Sequence, residues 1–326
     1  MINQDLLAKA IEARQALFDL THQSAFRLFN GFSEGAPDLA LDVYASTLVV
    51  HDYADDPVHD QIEIKEAIDF VRQSLHWLRA GLVKSRNGKT QEEKQGYLLF
   101  GDKPDTRIQE QGIWYAINLT MNRDASFYLD TRELRKWLIK NMHGKSVLNT
   151  FAYTGSLGVA AMAAGASQVV QTDLNRQFLN LAKDSYSLNG FPIQKKDFIA
   201  QDFFPTIARF KSMKQLFDCV IIDPPFFSTT SKGKVDLVNE SARLINKVRP
   251  LIKDGGTLIA INNAIYVSGR EYMQTLEDLC KDGYLSLREL IPVPADFIGN
   301  ASTPPITDPA PFNHSTKIAV LDVRRK

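Results

Sequence analysis

The chain has little cysteine, no surplus of charge of either sign and no long apolar run. Its two cysteines, Cys219 and Cys280, stand far apart among 326 residues, in apolar or helical contexts. That excludes a disulfide framework and points to buried free thiols in a reducing compartment, the cytoplasm. No apolar run reaches membrane-spanning length, and the first residues lack the basic-then-apolar plan of a signal peptide. A membrane partner is therefore not expected. Basic and acidic residues balance at 38 each. Strong nonspecific nucleic-acid binding leaves a basic footprint, so only a local basic patch remains open. No internal repeat is present, and no metal is called for. With 44% apolar residues the chain has enough material for a large core, and its length suggests about two domains.

What is present centres on Asp223-Pro224-Pro225-Phe226. This tetrapeptide follows the apolar run 217–222, which reads as a buried parallel strand. It therefore sits past the carboxyl end of a strand, where open α/β sheets place their chemistry. Two prolines there neither extend the strand nor continue into a helix, so they stiffen a loop. The loop carries a carboxylate at its head and a ring at its end. That pairing suits a flat group held against the ring, with a hydrogen facing the acid or a loop carbonyl. A proline-rich strand exit without a role is the competing reading.

About seventy residues upstream, 146–158 combine a β-rich run with a turn of small residues containing Gly155 and Gly158. The glycines would let the turn approach a ligand closely. The helix that follows from Val159 would favour a carboxylate or phosphate at its start. A second strand, 168–173, ends in Asp173, placed as an acid for ribose hydroxyls. Strand, glycine turn, helix, strand and terminal acid fit an NAD site and an S-adenosylmethionine site alike.

Several features favour the methyl donor. The turn lacks a Gly-x-Gly-x-x-Gly pattern, and an aromatic-Tyr-Thr-Gly run stands in its place. A third acid, Asp202, follows the strand-like 198–201 and precedes Phe203 and Phe204. Acids after strands two and three, then Asp-Pro-Pro-aromatic after strand four, is the class I methyltransferase order.

Residues 127–326 resemble the S-adenosylmethionine-dependent methyltransferase family that includes the large-subunit ribosomal RNA cytosine-5 and guanine-N7 enzymes. The likeness rests on Phe127-Tyr128-Leu129-Asp130-Thr131-Arg132, on Leu148-Asn149-x-Phe151-x-Tyr153-Thr154-Gly155, on Ser187-Leu188-Asn189-Gly190 and on Asp223-Pro224-Pro225-x-Phe227. Upstream, the run from Arg27-Leu28-Phe29-Asn30-Gly31 to Asp42-x-Tyr44 resembles the small β-rich domain that these enzymes carry before the catalytic one. The resemblance implies an α/β fold: a class I, Rossmann-like, seven-stranded sheet with its last strand antiparallel, and a smaller N-terminal α+β domain. The expected division is 1–120 for the small domain and 121–326 for the methyltransferase domain. The implied cofactor is S-adenosyl-L-methionine, and the implied partner is ribosomal RNA.

Two departures narrow the chemistry. Cytosine-5 members place a nucleophilic cysteine after the fifth strand, whereas 255–261 here lead into Asn262-Asn263-Ala264. Attack on cytosine C6 requires a thiolate, so that chemistry is not expected, and the paired Asn resembles the guanine-N7 branch. The cytosine-5 members also begin with a separate RNA-binding module, for which there is no room before residue 20.

The coarse layout predicts a helix over 3–20, short strands over 25–53, a helix over 62–80, a polar loop over 84–95 and strands over 96–120. Catalytic strands are expected to end near Asn149, Asp173, Asp202, Asp223 and Ile261. A helix over 270–282 and a final hairpin of 285–292 with 317–323 complete it. The polar segment 227–236, with Lys232 and Lys234, and the Pro-rich 293–316 are candidate lids or solvated loops. His314 reads more readily as a structural loop residue than as a base.

Within the expected site, Asp173 holds the ribose hydroxyls with Leu174 against adenine. Asp202 takes the adenine amino group, with Phe203 beside it. Phe151, Tyr153, Thr154, Gly155 and Ser156 form the donor turn. Arg132 faces the methionine carboxylate or forms a salt bridge within the domain. Asp223, Pro224, Pro225 and Phe226 position the acceptor. That acceptor is an RNA base nitrogen, with a protein side chain or small molecule as the alternative and a noncatalytic scaffold as a third.

Overall fold

A computed structural model of the chain describes residues 4–55, 61–299 and 314–325, with the side chains of 61–63 left aside. Two compact units result. One holds the described residues through Leu129 together with 294–299, and the other holds Asp130–Val293 and 314–325. The sequence suggested a boundary at 120. Residues 121–129 group with the first unit because Lys84 Nζ donates to the carbonyls of Asn122 and Asp124, at 2.9 and 3.4 Å. Tyr44 Oη also donates to Phe127 O at 3.0 Å.

The first unit carries strands β1 (Ala25–Asn30), β2 (Leu39–Tyr44), β3 (Thr47–Asp52), β4 (Ala80–Ser85) and β5 (Tyr97–Phe100) in one sheet, in that spatial order. Only β3 and β4 run parallel. A ribbon of β6 (Arg107–Glu110) and β7 (Ile113–Ala116) stands apart from it. Helices α1 (Gln4–Ala13), α2 (Gly31–Glu34), α3 (Gln61–Ser74) and α4 (Gln91–Gln95) complete the unit. Leu7 and Ala10 of α1 and Ile68 and Val71 of α3 pack with Phe26, Leu41, Val43, Leu48 and Val50.

The expected helix over 3–20 stops at Ala13, because Arg14 turns inward to a buried ion pair with Glu34 at 2.6 Å. The expected polar loop over 84–95 contains the end of β4 and α4, which a Thr90–Glu93 capping box starts. The motif from Arg27 to Tyr44 contributes Leu28, Phe29, Leu39, Leu41 and Val43 to the core and also carries a buried polar network. Arg27 pairs with Asp42 at 2.5 Å, and His51 meets the other oxygen of Asp42 at 2.9 Å. Burial opposes ionisation of Asp42, but Arg27 and His51 outweigh it and hold the carboxyl at about 2.

The second unit is a seven-stranded sheet. Its strands are β8 (Ser146–Thr150), β9 (Gln168–Asp173), β10 (Phe198–Ala200), β11 (Phe217–Ile222), β14 (Ile252–Asn262), β15 (Leu285–Ile291) and β16 (Lys317–Val323), with the hairpin strands β12 (Phe227–Thr230) and β13 (Gly233–Asp236) outside it. The order is β10-β9-β8-β11-β14-β16-β15. Pairs from β10 through β14 are parallel, and β16 is antiparallel to both its neighbours. This is the expected class I sheet.

Helices α5 (Arg132–Asn141), α6 (Ser156–Ala163), α7 (Arg176–Leu188), α8 (Phe203–Ser212), α9 (Leu237–Val248) and α10 (Gly269–Cys280) alternate with the strands. Residues of one strand feed two cores, with a register shift between Phe217 and Cys219. Phe217, Val220 and Ile222 of β11 join Leu258 and Ala260 of β14 on one face. Cys219 and Ile221 join Ile259 and Ile261 on the other, with Leu134 and Leu138 of α5. Burial on both faces explains why these strands read as unbroken apolar runs. The chain order reverses at β8, which opens a crevice between β8 and β11 at their carboxyl ends. No helix among the described residues is long and apolar enough to cross a membrane.

Candidate donor and acceptor site

The sheet register brings the strand ends level. Thr150 pairs with Thr172 on one side and Ile222 on the other, and Ile222 pairs with Ala260. Ala200 is the partner of Asp173. Asp173, Asp202, Asp223 and the Asn262-Asn263 pair therefore gather along one end of the sheet.

The turn after β8 is wound left-handed. Phe151, Tyr153 and Gly155 have φ of 54°, 51° and 78°. Two non-glycine residues in that region carry strain that the surroundings must hold in place. Asp173 supplies part of the hold, since its Oδ2 accepts the Tyr153 N–H at 2.9 Å and its Oδ1 accepts the Asn175 N–H at 2.8 Å. Burial raises the Asp173 carboxyl above its usual range, against these backbone donors. Leu174 beside it is 64% exposed, an uncovered apolar face at the expected adenine position.

The two glycines have a different local role from the one read in the sequence. A Cβ on Gly155 would lie 2.5 Å from both Ala182 Cβ and Gln171 Oε1, and one on Gly158 would lie 2.5 Å from Gln171 Cδ. The space they leave is filled by Gln171 of β9 packing onto the turn. Gln171 carried no sequence signal. Thr154 is buried, and Ser156 opens α6, whose N-terminus has no side-chain cap.

Asp202 is the N-cap of α8 and accepts the Phe204 N–H at 2.9 Å. Phe203 is buried and stacks on Phe151, with ring centroids 4.6 Å apart at 27°. Phe203 belongs to the hydrophobic core on one face of the sheet, and Phe151 packs against it. Arg132 begins α5, is only 8% exposed and is engaged within the fold.

Asp223 is partly buried, and its carboxyl has no hydrogen-bond partner among the described residues. Burial first, then the neighbouring Asp130 carboxylate, push its carboxyl up to about 7. Asp130 Oδ2 accepts the Thr316 hydroxyl at 2.6 Å. Asp130 stood within a recognised motif, but nothing in the sequence tied it to Asp223. Pro224 is buried and Pro225 exposed. Asn263 Nδ2 donates to Pro224 O at 3.4 Å, and its own buried Oδ1 has no partner. Phe226 is 40% exposed, with its ring centroid 5.8 Å from that of Tyr266.

The segment 227–236 is a hairpin, not an open loop, and Lys234 pairs with Asp236 at 2.8 Å. His314 Nδ1 accepts the Thr316 N–H at 3.1 Å, a structural contact. Most of the other candidate lid, 300–313, lies outside the described residues. Cys219 sits inside β11, where burial pushes its thiol up to about 12.

An absent methyl donor fits these residues on three observations. Asn263 Oδ1 is a buried polar atom without a protein partner, α6 opens without a side-chain cap, and Leu174 lies uncovered beside Asp173.

Residues 82–297 match the family of S-adenosylmethionine-dependent methyltransferases. A ribosomal RNA large subunit methyltransferase I of Photobacterium profundum is 27% identical over 290 residues, covering 87% of this chain and 73% of the relative. The protein of that name from Vibrio cholerae is 30% identical over 267 residues, covering 79% and 67%. Among solved structures, a methyltransferase complexed with SAH aligns with a TM-score of 0.86 at 23% identity, covering 98% of this chain and 80% of the other. One from Streptococcus mutans aligns at 0.83 with 22% identity, covering 99% and 82%.

Proposed function

As the chain belongs to the S-adenosylmethionine-dependent methyltransferase family, we propose that it methylates a planar nitrogen of a ribosomal RNA base, of the guanine type. S-adenosyl-L-methionine, when bound, supplies an electrophilic methyl carbon on its sulfonium. A base nitrogen with a free lone pair then needs alignment more than a strong base.

The residues divide the work accordingly. Asp173 holds the ribose hydroxyls, and Leu174 covers adenine. Asp202 takes the adenine amino group, with Phe203 and Phe151 as the wall behind it. The turn from Tyr153 through Thr154 and Gly155 to Ser156 faces the methionyl end, with Arg132 as the cation for its carboxylate. Asp223 faces the acceptor, Pro224 and Pro225 hold it rigid, and Phe226 stacks on the base. In its anionic form Asp223 stabilises positive charge growing on the acceptor nitrogen.

One observation carries this reading. A carboxyl without a protein partner, pushed up to about 7, stands at the switch point on a two-proline loop. The end of β14 and the residue after it offer Asn262 and Asn263 in place of a thiol. Ribosomal RNA as the acceptor is supported by what the relatives' names say they act on. The larger unit carries transfer, the smaller one serves the acceptor, and both work in the cytoplasm. The zero net charge favours a second reading, a protein side chain or small molecule as acceptor.

Tritiated donor given to RNA, protein and metabolite fractions from cells lacking the protein separates the two. Label is expected in RNA. Label confined to protein or metabolites would promote the second reading.

A further inference from the structure

The first unit contains a cavity of about 530 Å³ that none of the methyl-transfer chemistry uses. It opens between the turn leading into β1, the β2–β3 turn, the segment before β4 and the β6–β7 ribbon. Its size falls within the range of small-ligand sites, roughly 300–1,000 Å³.

Aromatic planes and cations line it together. His22 and Trp77 stack with ring centroids 4.3 Å apart and planes within 6° of parallel. On the ribbon, the Arg107 guanidinium lies 4.6 Å from the centroid of Trp114. Arg79 and His76 also line the cavity and are exposed. Neither Arg79 nor Arg107 makes an ion pair among the described residues. The acid at the rim, Asp105, is committed elsewhere. Its Oδ2 accepts the Ser46 N–H at 2.9 Å and the hydroxyls of Ser46 and Thr47, each at 2.8 Å.

The stack is pre-set. His22 has φ of 51°, a left-handed conformation uncommon for residues other than glycine. The Asp19 carboxylate holds the turn there by accepting backbone N–H groups of Thr21, Gln23 and Ser24, at 2.8, 3.0 and 2.8 Å. His22 Nδ1 is buried and has no partner.

We propose that this cavity binds a nucleotide of a single-stranded RNA segment. The base extends the His22–Trp77 or Trp114–Arg107 stack, and the flanking phosphates meet Arg79 and Arg107. Aromatic stacking planes combined with a cationic groove are how proteins hold single strands. The balanced overall charge and a local cationic pocket are therefore compatible. The site rests on the reading that the acceptor is RNA, and gives the smaller unit a grip on that RNA by residues other than those that transfer the methyl group.

The test is fluorescence anisotropy of a short labelled single-stranded RNA on the full chain, with methyl transfer to ribosomal RNA measured in parallel. Trp77→Ala removes a stacking plane and is expected to weaken binding roughly tenfold or more. Trp77 also packs edge-on against Phe18, so the exposed pair Arg79→Ala with Arg107→Ala serves as the second variant. It is expected to weaken binding and to flatten the slope of log affinity against log salt by about 1.4, from roughly 0.7 per phosphate contact. Unchanged affinity and slope in the double variant would overturn the site while leaving RNA methylation standing. Wild-type protein that methylates ribosomal RNA but does not bind the short strand would do the same. Competition by an acidic peptide as effective as unlabelled RNA would also overturn it, in favour of a protein ligand. Neither binding nor transfer to RNA would remove the RNA reading and this site with it.

Discussion

Asp130 stands beside Asp223, and its charge adds to burial in raising the Asp223 carboxyl to about 7. Asp130 is itself fastened by the Thr316 hydroxyl at 2.6 Å. A carboxyl poised near neutrality changes charge within the working pH range, where an ordinary carboxylate does not.

The anion is the form that faces the acceptor, so turnover is expected to rise with pH through about 7. Asp130→Asn removes the repelling charge and lowers the Asp223 value, so the rise should move to lower pH. A pH–rate profile that is flat from 6 to 8, or a midpoint unmoved in Asp130→Asn, would contradict the pairing.

The same shift has a stability consequence. The folded carboxyl holds its proton up to about 7, whereas the unfolded one releases it near 3.8. Stability is therefore greatest below about pH 4 on this group's account and is lost as pH rises towards 7. Asp223→Asn should gain on the order of 1–3 kcal/mol over the parent at about pH 8, and much less at about pH 4. Urea midpoints at the two pH values measure it. Turnover should fall in this variant while calorimetric donor affinity stays within about twofold.

Asp173→Ala removes the proposed ribose acceptor and also frees the Tyr153 and Asn175 N–H groups. Donor affinity should fall by roughly 1–3 kcal/mol, as for hydrogen bonds that involve a charge. Calorimetry with the donor or its demethylated product decides this, and an unchanged affinity would sink the assignment.

Cysteine should be dispensable. Cys219 lies inside β11 with its thiol pushed up to about 12, and burial also raises Cys280. Cys219→Ala with Cys280→Ala should retain transfer at near-parental kcat. Lost activity in a folded variant, with a trapped covalent adduct in the parent, would overturn this.

Gly158→Ala should cost roughly 1–3 kcal/mol, because its Cβ would sit 2.5 Å from Gln171 Cδ. Adding Gln171→Ala should recover part of that loss, and a double-mutant cycle in urea measures the coupling. Strict additivity would mean that Gln171 is not what the glycine accommodates.

The sheet was legible because its strands are buried on both faces and end in turn residues or acids. Val220 and Ile222 serve one core and Cys219 and Ile221 the other, so the apolar run announces the strand. The strand-end acids were legible from spacing alone. Gln171, Asp130 and Thr316 were not, because each acts across the fold on a residue far away in sequence. The helix expected over 3–20 failed at Arg14, whose buried pairing with Glu34 overrides local periodicity. The segment 227–236 read as a polar loop because its strands are short and exposed.

The central claim is methyl transfer to an RNA base nitrogen with Asp223 facing the acceptor. Mass spectrometry of nucleosides from large-subunit RNA tests it most directly, using cells lacking the protein and complemented with the parent or with Asp223→Ala. One N-methylated nucleoside should be missing in the deletion, return with the parent and remain missing with Asp223→Ala. An unchanged set of methylated nucleosides, or loss of a C5-methylated cytosine instead, would contradict it.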